Sequence, residues 1–388
     1  MRVLISGGGT GGHIYPALAV ATQLRKLYQA DILYLGSDDG LETQLVPAAG
    51  FRMQTVKAGK LQRYFSVKTL KGIARVPLGM AQAVGIVRDF RPDVAFTSGG
   101  YVSVPAGLGA KLNHVPLLLH QQDVPPNLSN RLIAPYATRI SVAFAASKRY
   151  FPEHKTLWLG NPIREEILAV RQVAVGVARQ QLGFAADVPL LLVTGGSQGA
   201  RHLNQVVVNS LPELLKYCQV LQISGQKLYS ETQSLAEQVL ADEHVAPELR
   251  ERYRVVPYMS DEMPLALQAA ELVICRSGAS TLSELAVLGK PSLLVPLPPA
   301  IGSSPQEINA ETFAHEGAAE VVRNDDLTPE GLLTRVQQLL GAPERLQTMQ
   351  EALQAFAKPD GTRQIVEAVV SMVPRWKIDR PEQEGINA

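Results

Sequence analysis

No apolar stretch in the 388 residues approaches the ~18 needed to cross a bilayer, which excludes a transmembrane helix of ordinary length. The start carries one charge and only a short apolar run before glycine, so no secretory signal peptide is expected. The chain is therefore expected to be soluble, or at most attached to a membrane surface. Cysteine is nearly absent. Cys218 and Cys275 have no metal or redox spacing, and read as inert core thiols of a reducing compartment rather than a disulfide. An excess of either charge is missing as well. The net charge of +1 leaves no basic surplus to neutralise phosphates, so nucleic acid is not an expected partner. One local absence stands out. From Thr43 to Arg88 there is no Asp or Glu, although the chain average would place about four there.

What is present points to nucleotide-type domains. The length suggests two or three domains, and 46% hydrophobic content is ample for two cores. Arg2-Val3-Leu4-Ile5-Ser6 runs into Gly7-Gly8-Gly9-Thr10-Gly11-Gly12-His13, and Leu190-Leu191-Leu192-Val193-Thr194 runs into Gly195-Gly196-Ser197-Gln198-Gly199-Ala200. Each reads as a buried parallel strand, a tight glycine turn and a helix start. Glycine lets the backbone turn at positive φ and leaves no Cβ to block a ligand, and the N–H groups of the helix start favour an anion. Two such openings, half a chain apart, suggest two domains facing one cleft.

Apolar runs at 32–36, 92–97, 115–119, 139–142 and 156–160 read as further strands of the first half. In the second half, strands are expected at 190–194, 219–223, 254–257, 272–275, 292–295 and near 319–322. The segments Ile14 to Tyr28 and Leu41 to Ala48 carry helical patterns, with Pro16 placed in a first turn. The expected fold is α/β, with parallel sheets covered by helices on both faces. Asn161-Pro162 is a plausible hinge. Ligands of such sheets bind beyond the carboxyl ends of the strands, where Gly7–His13, Ser98–Tyr101, His120–Asp123, Gly195–Gly199 and Arg276–Glu284 all fall. The tail from Arg375 is polar and is expected to fray. In Leu272 to Glu284 a strand, a small polar turn and a helix start suit a diphosphate, with Glu284 one turn inside to accept ribose hydroxyls. A second reading stays open, in which Ser277 and Ser280 cap the helix and Glu284 completes a capping box.

Gly8-Gly9-Thr10-Gly11-Gly12-His13, Gly99-Gly100-Tyr101-Val102-Ser103, Gly160-Asn161-Pro162-Ile163-Arg164, Gly195 to Arg201 and Arg276-Ser277-Gly278-Ala279 occur in that order. In this combination, from about residue 2 to about 370, the chain resembles the MurG family, bacterial inverting glycosyltransferases. These move N-acetylglucosamine (GlcNAc) from UDP-GlcNAc to the C4 hydroxyl of the muramyl sugar in lipid I, making lipid II for peptidoglycan. The resemblance implies a GT-B fold of two Rossmann-like domains: residues 1–161 facing acceptor and membrane, 162–356 binding the donor, and 357–388 returning to the first domain. It implies donor contacts from Thr10, Gly11, Gly12, Asp123, Arg164, Ser197, Met259 (against uracil), Ala279, Ser280, Thr281, Leu282, Ser283, Glu284 and Gln306 (to the hexose). Gly9, Tyr101, His120 and Asn130 become candidates for the acceptor and its diphosphate. Two departures stand out. The family's His-Glu-Gln-Asn is His120-Gln121-Gln122-Asp123 here, so the asparagine's contact falls to Asp123, and Pro305 precedes Gln306 where members commonly carry His or Gln.

An inverting transfer needs a base, and His13, after the first glycine loop, has a side chain suited to that work near neutrality. It could instead only orient the loop or a diphosphate. No Asp-x-Asp occurs, so no cofactor is expected to be required and no dedicated divalent-cation site is expected. In the acid-free run, Arg52, Lys57, Lys60, Arg63, Lys68, Lys71, Arg75 and Arg88 interleave with Leu61, Tyr64, Phe65, Leu70, Ile73, Val76 and Leu78. That pattern reads either as a solvated face or as an anionic-membrane contact, and a lipid-linked acceptor favours the second. The expected place is the cytoplasmic face of the plasma membrane, peripherally held, with other cell-wall synthesis proteins as further partners. Another GT-B lipid glycosyltransferase, a UDP-sugar epimerase and a non-catalytic dinucleotide module are the alternatives.

Overall fold

A computed structural model describes residues 1–58, 67–196, 198–243, 245–298 and 306–374, with the backbone alone for 67–76. The chain divides into two compact units, Met1–Ile163 with the segment from Pro359, and Arg164–Lys358.

Among the described residues, the first unit is built on a seven-stranded parallel sheet in the order β3-β2-β1-β4-β5-β6-β7. The strands are β1 (Arg2–Ser6), β2 (Asp31–Ser37), β3 (Arg52–Val56), β4 (Val94–Thr97), β5 (Leu117–Gln121), β6 (Arg139–Val142) and β7 (Thr156–Trp158). Alternate residues serve opposite faces. Val3 and Ile5 enter one core with Ile14, Leu24, Phe96 and Ile365, while Leu4 enters the other with Leu35, Ala106 and Leu119. Because both faces are covered, the central strands are continuous apolar runs. The helix Gly361–Ser371 belongs to this unit. It lies on the helix Gly11–Tyr28, and Ile163 N donates to Thr362 Oγ1 at 2.9 Å.

The second unit repeats the plan with six strands ordered β10-β9-β8-β11-β12-β13. They are β8 (Leu190–Thr194), β9 (Gln219–Ile223), β10 (Tyr253–Val256), β11 (Leu272–Cys275), β12 (Ser292–Leu294) and β13 (Glu320–Val321). Cys218 and Cys275 are buried and unpaired, and burial pushes both thiols up to about 12, which leaves them unreactive.

The expected alternation of strand and helix is found, with two differences. β3 has no counterpart in the sequence reading, because it is an edge strand with only Val56 fully buried and lacks an apolar run. The first helix begins at Gly11 rather than Ile14, which moves Pro16 into the second turn at the loss of one ladder bond. In each sheet the strand order reverses beside the first strand, between β1 and β4 and between β8 and β11. Loops there diverge and leave a crevice at the carboxyl ends.

Candidate functional site

In the first unit, the crevice is bordered by the loops after β1 and β4, and the two touch through their backbones. Gly8 N donates to Gly99 O at 3.3 Å, and a Cβ on Gly100 (φ 89°) would lie 2.1 Å from Gly8 O. Only glycine permits that approach. Gly9 (φ 90°) lies beneath the Tyr101 ring, and its N–H is taken by Glu42 Oε2 at 3.1 Å. In this structure the Gly9 N–H is thus committed to Glu42, and Gly9 shapes the loop. Thr10 is the N-cap of the following helix with extended backbone and no side-chain cap, and Gly11 and Gly12 form the first turn. That turn carries an uncapped helix start, the arrangement that suits an anion.

His13, half-buried, is one residue further on. Its Nδ1 lies 3.1 Å from Ser98 O. Gln122 Nε2 also lies 3.1 Å from that Nδ1, so one tautomer donates from Nδ1 to Ser98 O and leaves Nε2 its lone pair, while the other accepts from Gln122 at Nδ1. Gln122 Nε2 donates to the same carbonyl at 2.9 Å, and Ser98 Oγ donates to His13 O at 2.6 Å. Burial lowers the His13 pKa from its ordinary value, and the charges of Asp123 and Glu42 and the bond to Ser98 only partly offset it. The ring is thus a neutral imidazole at pH 7.

His120 and Asn130, candidates for the acceptor and its diphosphate, are both buried. His120 is fully buried, with Nδ1 2.9 Å from Ser141 Oγ and Nε2 2.9 Å from Asn161 Oδ1, and burial first, then the neighbouring His13, lowers its pKa to about 4. Asn130, also buried, donates to Gln121 Oε1 at 2.7 Å and to His120 O at 3.2 Å. Together they brace the strand end that presents Asp123. Asp123 is itself 7% exposed, and its carbonyl is held by Gln121 Nε2 at 2.7 Å. The Tyr101 hydroxyl reaches Ser37 Oγ at 2.7 Å and Asp39 Oδ1 at 3.1 Å. The sequence reading missed Glu42 and Ser37. Their one signal was that the loop after β2 also lies at a strand end, between Gly36 and Gly40.

In the second unit, the helix Ala279–Leu288 starts at the end of β11 with Gly278 as N-cap and no side-chain cap. The capping reading does not hold: Ser277 Oγ donates to Gln306 O at 2.7 Å, and Glu284 pairs with Arg164 at 2.9 Å. Burial raises the Glu284 pKa and Arg164 opposes it. Ala279, Ser280 and Thr281 form the uncapped first turn. Leu282 and Ser283 point into the core, with Leu282 N bonded to Gly278 O at 3.0 Å and Ser283 Oγ to Ala279 O at 2.8 Å. Their buried side chains serve the helix itself. Gln306 Oε1 accepts from Leu297 N at 3.0 Å. Arg276 holds Val295 O and Pro296 O, both at 2.9 Å, and so fixes the chain leading from β12. Met259 is buried between β10 and the helix Met263–Ala269. Ser197 lies outside the described residues. Its loop is shaped by Gly199, whose Cβ would lie 2.2 Å from Ser224 O.

Two Rossmann-like units, each with a glycine loop and a helix start at its switch point, suit a sugar nucleotide, and the comparisons narrow the class to glycosyltransferases. Residues 3–142 match the glycosyltransferase family 28 N-terminal domain, and residues 190–365 its C-terminal domain. The UDP-N-acetylglucosamine--N-acetylmuramyl-(pentapeptide) pyrophosphoryl-undecaprenol N-acetylglucosamine transferase of Caldanaerobacter subterraneus subsp. tengcongensis is 38% identical over 95% of this chain and 99% of its own. Crystallised Acinetobacter baumannii MurG superposes with a TM-score of 0.72 at 27% identity, covering 95% of this chain and 98% of its own. The chain belongs to the MurG family of glycosyltransferases. The UDP-GlcNAc 2-epimerase of Neisseria meningitidis shares the fold alone, at 14% identity and a TM-score of 0.66, over 96% of this chain and all of its own.

Proposed function

We propose that the protein transfers GlcNAc from UDP-GlcNAc to the C4 hydroxyl of the muramyl sugar of lipid I, giving lipid II and UDP. Likeness over nearly the whole chain to a transferase named for that reaction carries the reading. The local chemistry supports it. In the first unit, His13 Nε2 takes the hydroxyl proton as the oxygen attacks the anomeric carbon. The bond from that carbon to the diphosphate breaks, with inversion, and UDP leaves with the electron pair. In the second unit, the first-turn N–H groups at Ala279–Thr281 meet the growing charge on the diphosphate. Glu284, held by Arg164, accepts the ribose hydroxyls. Met259 lies against the uracil, Gln306 meets the hexose, and Thr10 to Gly12 and Asp123 complete the donor contacts.

The acceptor's lipid tail implies peripheral attachment at the cytoplasmic face. No helix among the described residues is long and apolar enough to cross a membrane. Most side chains of 57–78 lie outside the described residues, but Leu78, Leu112, Leu128 and Leu132 are exposed on the successively packed helices Val67–Phe90, Ser103–Leu112 and Leu128–Ile133. Exposed leucines of that kind suit shallow insertion.

Labelled UDP-GlcNAc is offered with lipid I, with diacylglycerol, and alone. Label passing only to lipid I is the expected result. Label on diacylglycerol, or an epimerised sugar nucleotide without acceptor, would replace the reading.

A further inference from the structure

Glu42 opens the helix Glu42–Ala48 and is fully buried. An acid in a first turn favours the helix dipole without burial. Here the carboxylate instead turns back across the sheet rim. Oε2 accepts from Gly9 N at 3.1 Å, while Oε1 accepts from Ser37 N at 3.0 Å and Ser37 Oγ at 2.6 Å. Space is reserved for it. A Cβ on Gly8 would lie 2.4 Å from Oε1, one on Gly40 2.2 Å from Oε2, and one on Gly36 2.7 Å from Cγ. Burying a carboxylate costs a great deal unless donors meet its oxygens, and these donors are neutral groups of the site's own loops. Above the same glycine, the Tyr101 ring closes the other side.

We propose that Glu42 is a positioning residue for the transfer, tying down Gly9 from beneath so that Thr10, Gly11, Gly12 and His13 are presented to ligand in one fixed geometry. This rests on the reading of His13 as the base. The carboxylate also contributes charge. The ionisable groups acting on the His13 imidazole are Asp123 and His120 from the β5 end and Glu42 from its helix, and those around Glu42 are Tyr34, Tyr101 and, through Tyr101, Asp39. Removing a negative charge from that set makes the imidazole less basic.

Full-length Glu42→Gln keeps the size but sets an NH2 group against a donor. With UDP-GlcNAc and lipid I, kcat should fall ~10–100-fold, as expected for a misplaced base. Affinity for uridine, whose uracil and ribose contacts are assigned to the second unit, should stay unchanged, and the acid limb of kcat/KM should move to lower pH. Glu42→Asp restores the charge but not the reach, so its limb should return while kcat stays low. Wild-type kcat and pH profile in Glu42→Gln would overturn the proposal. So would a kcat loss that follows the melting temperature with an unmoved limb, which is what a purely structural role gives. Should Glu42→Gln not fold, Glu42→Asp decides: full kcat overturns the proposal, and lowered kcat with unchanged uridine affinity upholds it. Turnover by wild type on lipid I separately checks the reading beneath it.

Discussion

His13 and Glu284 are pushed by burial in the same sense, toward the neutral form, but each is held by a different partner. For His13 the result is a ring that can accept a proton at pH 7, so the acid limb of kcat/KM should lie below the ordinary imidazole value of 6.5. His13→Ala should lower kcat ~10²–10⁴-fold with donor affinity kept. Near-normal turnover would leave His13 as a loop residue and make Asp123 the next base. For Glu284, Arg164 keeps the charged form in place, and Glu284→Ala should weaken UDP-GlcNAc binding by ~1.5–3 kcal/mol in calorimetry. An unchanged affinity in a folded variant would remove it from the ribose. At this scale the sequence showed residue types at strand ends, which is why His13 and Glu284 could be named, while Arg164 entered only through the family resemblance. It did not show direction: His120 and Asn130 have the chemistry of ligands and point inward. Glu42 was hidden because its partners are thirty-three and five residues away and mostly backbone.

Elements were legible where burial on both faces forces an unbroken apolar run, as in β1, β4, β8 and β11. They were not where the strand lies at an edge, as in β3, or where glycine rather than an apolar repeat begins the helix. Helix ends also carry buried charge that no pattern discloses. Lys290 is 5% exposed and donates to Gln268 O at 2.6 Å and Ala270 O at 3.1 Å, which closes the end of the helix Met263–Ala269. Burial lowers its pKa to about 8, while Glu271 opposes the shift. Between that value and the unfolded 10.5, the unfolded chain binds the extra proton, so stability should rise with pH through this window. Below about 8 both states are protonated and the contribution is flat. In denaturant titrations, wild type should gain roughly 2–3 kcal/mol across the window relative to Lys290→Met. Parallel curves for the two proteins would mean that the amine is not desolvated.

For the whole molecule, composition led to no expectation of a spanning helix, and none is found among the described residues, while the repeated strand–glycine–helix opening foretold two units of one kind. The proposed membrane contact is only partly legible, since an acid-free run looks the same whether it meets lipid or water. Screening limits the reach of such charges to ~8 Å at physiological ionic strength, so vesicle binding should weaken with salt and strengthen with anionic lipid. Replacing Lys60, Arg63, Lys68 and Lys71 by glutamate should release the protein from anionic vesicles with soluble-donor binding intact. Equal partitioning of variant and wild type would make the segment an ordinary solvated face. The central claim, direct attack by the C4 hydroxyl of the acceptor on the donor sugar, is tested most directly by the linkage of the product. Nuclear magnetic resonance of the lipid-linked disaccharide made from UDP-α-GlcNAc and lipid I should show a β linkage to C4. An α linkage, or a linkage to another hydroxyl, would contradict the account.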